Sequence, residues 1–219
     1  MDVDRDELFE ILTECDKEEH SKWVSAFSGR DNDKSAILTA HLIVEQILES
    51  MIKTTVKRSA LLLKDKDFRS KVDIVYALGG IGDHELNCCR VLNSARNAIV
   101  HDLGPLPEKW KRELKRLTQK KASTGGWRDV KEKDPIKSLY VLLATISNAW
   151  VHVKYHHNRL KMREENGDRW IQIYMAKVKE KGIDYVHNLD PEMLNYEIDL
   201  ELAKQTLGDK KLGERAGTA

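Results

Sequence analysis

Only 4 prolines and 12 glycines interrupt the 219 residues, so few positions force the backbone out of a helix. Three cysteines, Cys15 and the adjacent Cys88-Cys89, offer neither a disulfide framework nor the paired spacing of a zinc site, and no metal site is expected. The five tryptophans (Trp23, Trp110, Trp127, Trp150, Trp170) stand singly, which fits packing rather than a base-stacking platform. The longest apolar stretches, such as Tyr140 to Ile146, fall far short of a membrane span. The acidic opening Met1-Asp2-Val3-Asp4-Arg5-Asp6 carries no apolar signal region, so a cytoplasmic protein without membrane contact is expected. No P-loop, dinucleotide-binding glycine pattern or nucleophile elbow occurs, and no cofactor is expected.

What is present is 41% hydrophobic and 33% charged sequence laid out with a helical period. Residues 6–27 read as an amphipathic helix with apolar points at Leu8, Ile11, Leu12 and Cys15. A polar loop follows, in which Asp33 or Ser35 is placed to cap a helix over 34–57. That helix carries Ile37, His41, Val44, Leu48 and Met51 on one stripe, with Glu45 one turn beyond His41. Residues 60–80 read as helix broken at Lys64-Asp65-Lys66-Asp67 and stopped by Gly79-Gly80. A helix over 83–101 and a basic one to about 121 come next, and Ala122-Ser123-Thr124-Gly125-Gly126 is the best linker.

The longest helix, opening at Asp134-Pro135, carries an a/d seam: Ile136, Leu139, Leu143, Ile146, Trp150, Val153, His157 and Leu160. The chain therefore divides into a helical core (1–121), a linker (122–134), a long helix packed on the bundle or across a dimer (135–165), and a partly flexible helical extension (166–219). The fold class is all-α.

Chemistry concentrates on the 83–101 helix. Arg90, Asn93, Asn97 and His101 recur by three, four and four and form a polar ridge flanked by Arg96, against an apolar stripe of Leu86, Cys89, Leu92, Ala95 and Ile99. Arg96 supplies a permanent planar cation, and His101 a side chain that exchanges protons near neutral pH. Residues 104–133 carry 10 Lys/Arg against 4 acids, while residues 1–35 carry 11 acids against 5 bases. The basic segment, with Lys109 and Arg112, can track a phosphate backbone, or it is a solvated face paired with the acidic N-terminus. His41 reads as a hydrogen-bonded core histidine or, with Glu45, lines the site. His152, His156 and His157 lack an acidic or cysteine companion and read as surface and seam.

The pattern Arg96-Asn97-x-x-x-His101 late in a helical bundle resembles the HEPN superfamily. Phe68 to Ile81 together with Ala95-Arg96-Asn97-Ala98-Ile99-Val100-His101-Asp102 is similar to the mannitol-operon repressor family, across roughly residues 35–105. The HEPN resemblance implies a metal-independent endoribonuclease acting as a homodimer in a toxin or defence setting, with an antitoxin or other regulatory protein as partner. On that reading Arg96 holds the scissile phosphate, His101 is the acid or base, and Asn97 positions one of them. Arg90, Asn93, Lys109 and Arg112 would bind RNA, with His41 and Glu45 behind them. The mannitol-repressor resemblance implies instead a non-catalytic transcriptional regulator or protein-interaction module. A third alternative is structural: Arg96 and His101 close a helix end.

Overall fold

Helix after helix follows from the sparse breakers, and no strand occurs among the described residues: the architecture is the all-α bundle read from the sequence. The computed structural model describes residues 5–13, 21–23, 25, 27, 32–102, 106–122, 135–182 and 191–216. Its helices are α1 (Arg5–Thr13), α2 (Asp33–Thr55), α3 (Ser59–Leu63), α4 (Phe68–Ala77), α5 (Asp83–Asp102), α6 (Glu108–Ala122), α7 (Pro135–Glu165), α8 (Gly167–Lys181) and α9 (Pro191–Ala216). Two compact units divide the chain, residues 16–154 and residues 1–15 with 155–219. The stretches drawn from sequence are cut differently, because α1 joins the C-terminal helices.

In the 16–154 unit, α2 is the central helix, packed against α3, α4 and α5. The cap is Asn32, not Asp33 or Ser35: the Asn32 carboxamide oxygen accepts from the Lys34 N–H at 2.8 Å, and Asp33 is already helical. The Ser35 hydroxyl turns back to the Asn32 carbonyl instead. The β-branched run Thr54-Thr55-Val56 ends α2, and Val56 is extended. Ten α2 residues, from Ala36 to Ile52, are buried. This one described helix is long and apolar enough to cross a membrane, with mean hydropathy 1.3, yet its apolar face fills the protein's own core. From α7, Trp150 is fully buried, donates its indole N–H to Ser50 Oγ at 3.0 Å, and meets Trp23 edge-on.

α4 begins at Asp67, whose carboxylate accepts from the Ser70 N–H at 2.8 Å. It ends at Gly79, with φ 72°, a left-handed value that an L side chain rarely adopts. The neighbouring Gly80 has an ordinary backbone, but a Cβ there would lie 2.9 Å from Val75 Cγ1.

The second unit gathers Leu8, Met162, Ile173, Tyr196, Ile198, Leu202 and Ala203 into a separate core. The Tyr196 hydroxyl accepts from the Leu8 N–H in the first turn of α1 at 3.3 Å. The C-terminal extension read from sequence as helical contains a helix running to Ala216. The predicted α7 seam is buried from Leu139 to Trp150 and half-buried at Val153, but His157 is exposed and Leu160 is 65% exposed. An α-helix drifts about 20° per heptad against a strict 3.5-residue repeat, which carries the late seam positions off the buried side. Cys15, Trp127 and the 123–134 linker lie outside the described residues, as do the side chains of Ile136 and of residues 1–7.

Candidate functional site

The 83–101 stretch forms one continuous helix, α5, to Asp102. Its apolar stripe of Leu86, Cys89, Leu92, Ala95 and Ile99 is buried, and burial pushes the Cys89 thiol well above its ordinary range. An inert, protonated Cys89 is therefore core packing, and Cys88 beside it is equally buried.

The polar ridge is divided among different partners. Arg90 lies exposed, 3.6 Å from Asp73 of α4. Asn93 reaches α2, where the buried His41 donates its Nε2–H to Asn93 Oδ1 at 3.2 Å. His41 also stacks on Phe68, with ring centroids 4.0 Å apart. Burial pulls the His41 imidazole below its ordinary value, against the Asn93 hydrogen bond and the Glu45 charge; the Arg96 and Lys71 charges add to the lowering. His41 is thus a neutral, hydrogen-bonded core histidine that also touches the electrostatics of the site.

Arg96 is half-buried, and its Nη1 donates to Asn97 Oδ1 at 3.0 Å. At about 100° per residue, its bearing on α5 falls between those of the buried Cys89 and Leu92, on the packed side of the helix. His101 is exposed at the last turn, and no described residue bonds to it. Five positions at that pitch put the two side chains about 140° apart on the helix. The structure therefore pairs His41 with Asn93 between α2 and α5, within reach of the Arg96 charge, and pairs Arg96 with Asn97 along α5. It sets His101 about 140° from Arg96 but only about 40° from Asn97 on the helix.

Glu45 belongs to a cluster that the sequence did not disclose. Lys71 of α4 is buried and donates to both Glu45 and Glu49 at 2.7 Å each. Burial pulls the Lys71 ammonium down, but the two carboxylates outweigh it and hold the group above its ordinary value. The signal available was Lys71 sitting on the same face as Phe68, Val72 and Val75. Lys109 and Arg112 are exposed on α6 and form no ion pair among the described residues: Lys109 lies over Trp110, and Arg112 donates to the Glu108 carbonyl. The basic helix is partly self-paired, since Lys111 and Arg116 hold Glu108 and Glu113 at 3.0 Å, and Lys111 stands 4.0 Å from Asp33.

Between α4 and α5 a groove of about 440 Å³ opens, with Arg69, Asp73, Arg90 and Asn93 among its walls. It includes two residues of the predicted ridge and neither Arg96 nor His101. No group of three or more His, Cys, Asp or Glu side chains among the described residues is arranged to hold a metal ion.

Comparison with family models, with curated proteins and with solved structures yields no match for this chain. Its own residues carry the functional argument.

The 1–15/155–219 unit holds a further cluster missed by sequence reading. Asp199 is fully buried; Arg163 forks it at 2.6 and 2.5 Å, Arg159 bonds it, and the Trp170 indole donates at 3.1 Å. The only advance sign was Arg159 and Arg163 four positions apart, facing solvent or partner alike.

Proposed function

We propose that this chain is a cytoplasmic, RNA-directed protein of the HEPN type, cleaving RNA without a metal ion when two copies pair, in a toxin or defence setting. The single observation that carries the reading is the contrast along α5: the half-buried Arg96 donates to Asn97, while His101 stands exposed where the helix ends. A guanidinium hydrogen-bonded to a neighbour suits the developing charge on a phosphate, and an accessible imidazole suits proton transfer. Because the two bearings differ by about 140°, one reaction centre is best served by Arg96 from one copy and His101 from the other. In such a cleft His101 takes the proton of the RNA 2′-hydroxyl as the 2′-oxygen attacks phosphorus. The bond to the 5′-oxygen then breaks, and that oxygen leaves with a proton from an imidazolium. The products are a 2′,3′-cyclic phosphate and a 5′-hydroxyl. Lys109 and Arg112 extend the phosphate contacts along α6.

A second reading is a mannitol-repressor-like regulator or interaction module that binds a partner without chemistry. The divergence of Arg96 and His101 within one chain favours it. Incubation of the protein with transfer RNA in EDTA decides between them. The cleavage reading expects product in wild type and a loss of about 100-fold or more in Arg96→Ala and in His101→Ala. Folded wild-type protein that leaves RNA intact, while sedimenting as a dimer, leaves the regulatory reading standing.

A further inference from the structure

The α4–α5 groove has the chemistry of a ligand site distinct from the Arg96/His101 pair. Its volume of about 440 Å³ falls within the range of small-molecule pockets, roughly 300–1,000 Å³. Phe68 and Cys89 give it an apolar floor, and both are buried in the core, so that floor is fixed rather than adaptable. Its rim is dominated by donors. Arg69 makes no ion pair among the described residues. Arg90 pairs with Asp73 only at 3.6 Å, with both side chains more than half exposed, a contact that solvent screens and an anion can replace. Asn93 contributes the most specific element. His41 occupies its oxygen, so the carboxamide is held in one orientation and its Nδ2 donors are left without a described partner at the groove.

We propose that this groove binds one nucleoside phosphate unit. Arg69, Arg90 and the Asn93 Nδ2 group hold the phosphate, the base lies along the floor at Phe68, and Asp73 accepts from the sugar or the base edge. A flat apolar body joined to an anion is what such a floor and rim accommodate together. Inorganic phosphate would leave the floor uncovered, and a nucleoside would leave the arginines unanswered. The choice of a nucleotide rests on the RNA-directed reading above; in RNA the groove would capture a residue flanking the one that reacts. His41 is then a positioning residue, acting through Asn93.

Calorimetric titration of the full chain with adenosine monophosphate, uridine monophosphate, adenosine and inorganic phosphate tests the site. The expected result is saturation by a monophosphate at one per chain, about tenfold or more tighter than by adenosine or phosphate. Arg90→Ala, at an exposed position that folding does not need, and Asn93→Asp, which keeps an acceptor for His41 but replaces the donors, each weaken it about tenfold. The exposed Lys161→Ala leaves it unchanged. Absence of saturation by either monophosphate overturns the proposal, as does phosphate binding as tightly as nucleotide, or wild-type affinity in both groove variants. RNA cleavage read separately keeps the two readings apart. Nucleotide binding without cleavage sinks the catalytic reading alone, and cleavage without nucleotide binding sinks the groove alone.

Discussion

The two units carry mirror-image charge clusters. In residues 16–154 one buried cation, Lys71, serves two carboxylates that stay 26% and 32% exposed. In the other unit one buried anion, Asp199, serves two guanidiniums that stay 21% and 28% exposed. Each cluster hides the minority charge and leaves its partners a route to water. The difference lies in geometry. Arg163 grips Asp199 through two parallel bonds, and Trp170 adds a third donor, whereas the Lys71 ammonium is a point charge divided between two acceptors. Directional, multiply bonded geometry therefore belongs to the arginine cluster. The lysine cluster reaches His41, as Arg96 does, through charge rather than shape.

The comparison breaks most visibly at Asp199. Asp199→Asn removes the buried anion that two guanidiniums share and sets an amide donor against their N–H groups, so it should cost about 3–5 kcal/mol in urea unfolding followed by circular dichroism. Lys71→Met leaves Glu45 and Glu49 able to regain water, so the expected loss is about 1–3 kcal/mol. A larger loss for Lys71→Met than for Asp199→Asn would reverse the ranking.

The smallest effect is a pH slope confined to the 16–154 unit. Burial holds the folded His41 imidazole below its ordinary 6.5, so the stability it contributes is complete above that value. That stability is lost as pH falls below 6.5 toward the lower folded value. Denaturation at pH 7 and pH 5 should show the loss in wild type, and His41→Phe should flatten it. Glu49, held down by its Lys71 hydrogen bond, adds its own loss only below its ordinary 4.5, so the two windows separate. An identical slope in His41→Phe would remove His41 as its source.

Local rules explain what could be read in advance. The α2 stripe and the limits of α5 were legible because period and glycine stops act within one or two turns. The cap of α2 was misjudged by a single residue, since Asn32, Asp33 and Ser35 are all competent and only the backbone angles choose among them. His41 was legible as a core histidine, but Asn93 lies 52 positions away and no periodicity reveals that pairing. Lys71 and Asp199 were invisible for the same reason: a buried charge is recognised by its partners, and those come from other helices. Asp199 stands within the stripe of α9 that Tyr196, Ile198 and Leu202 complete, so its burial is legible only once its arginine partners are in place.

The adjacent glycines after α4 are irreplaceable for opposite reasons. At Gly79 a side chain would find open space but an unwelcome torsion; at Gly80 it would find a welcome torsion but no space. Two unrelated constraints thus guard a single corner, and no one substitution relaxes both. The corner lies between α4 and α5, the two helices whose residues line the groove.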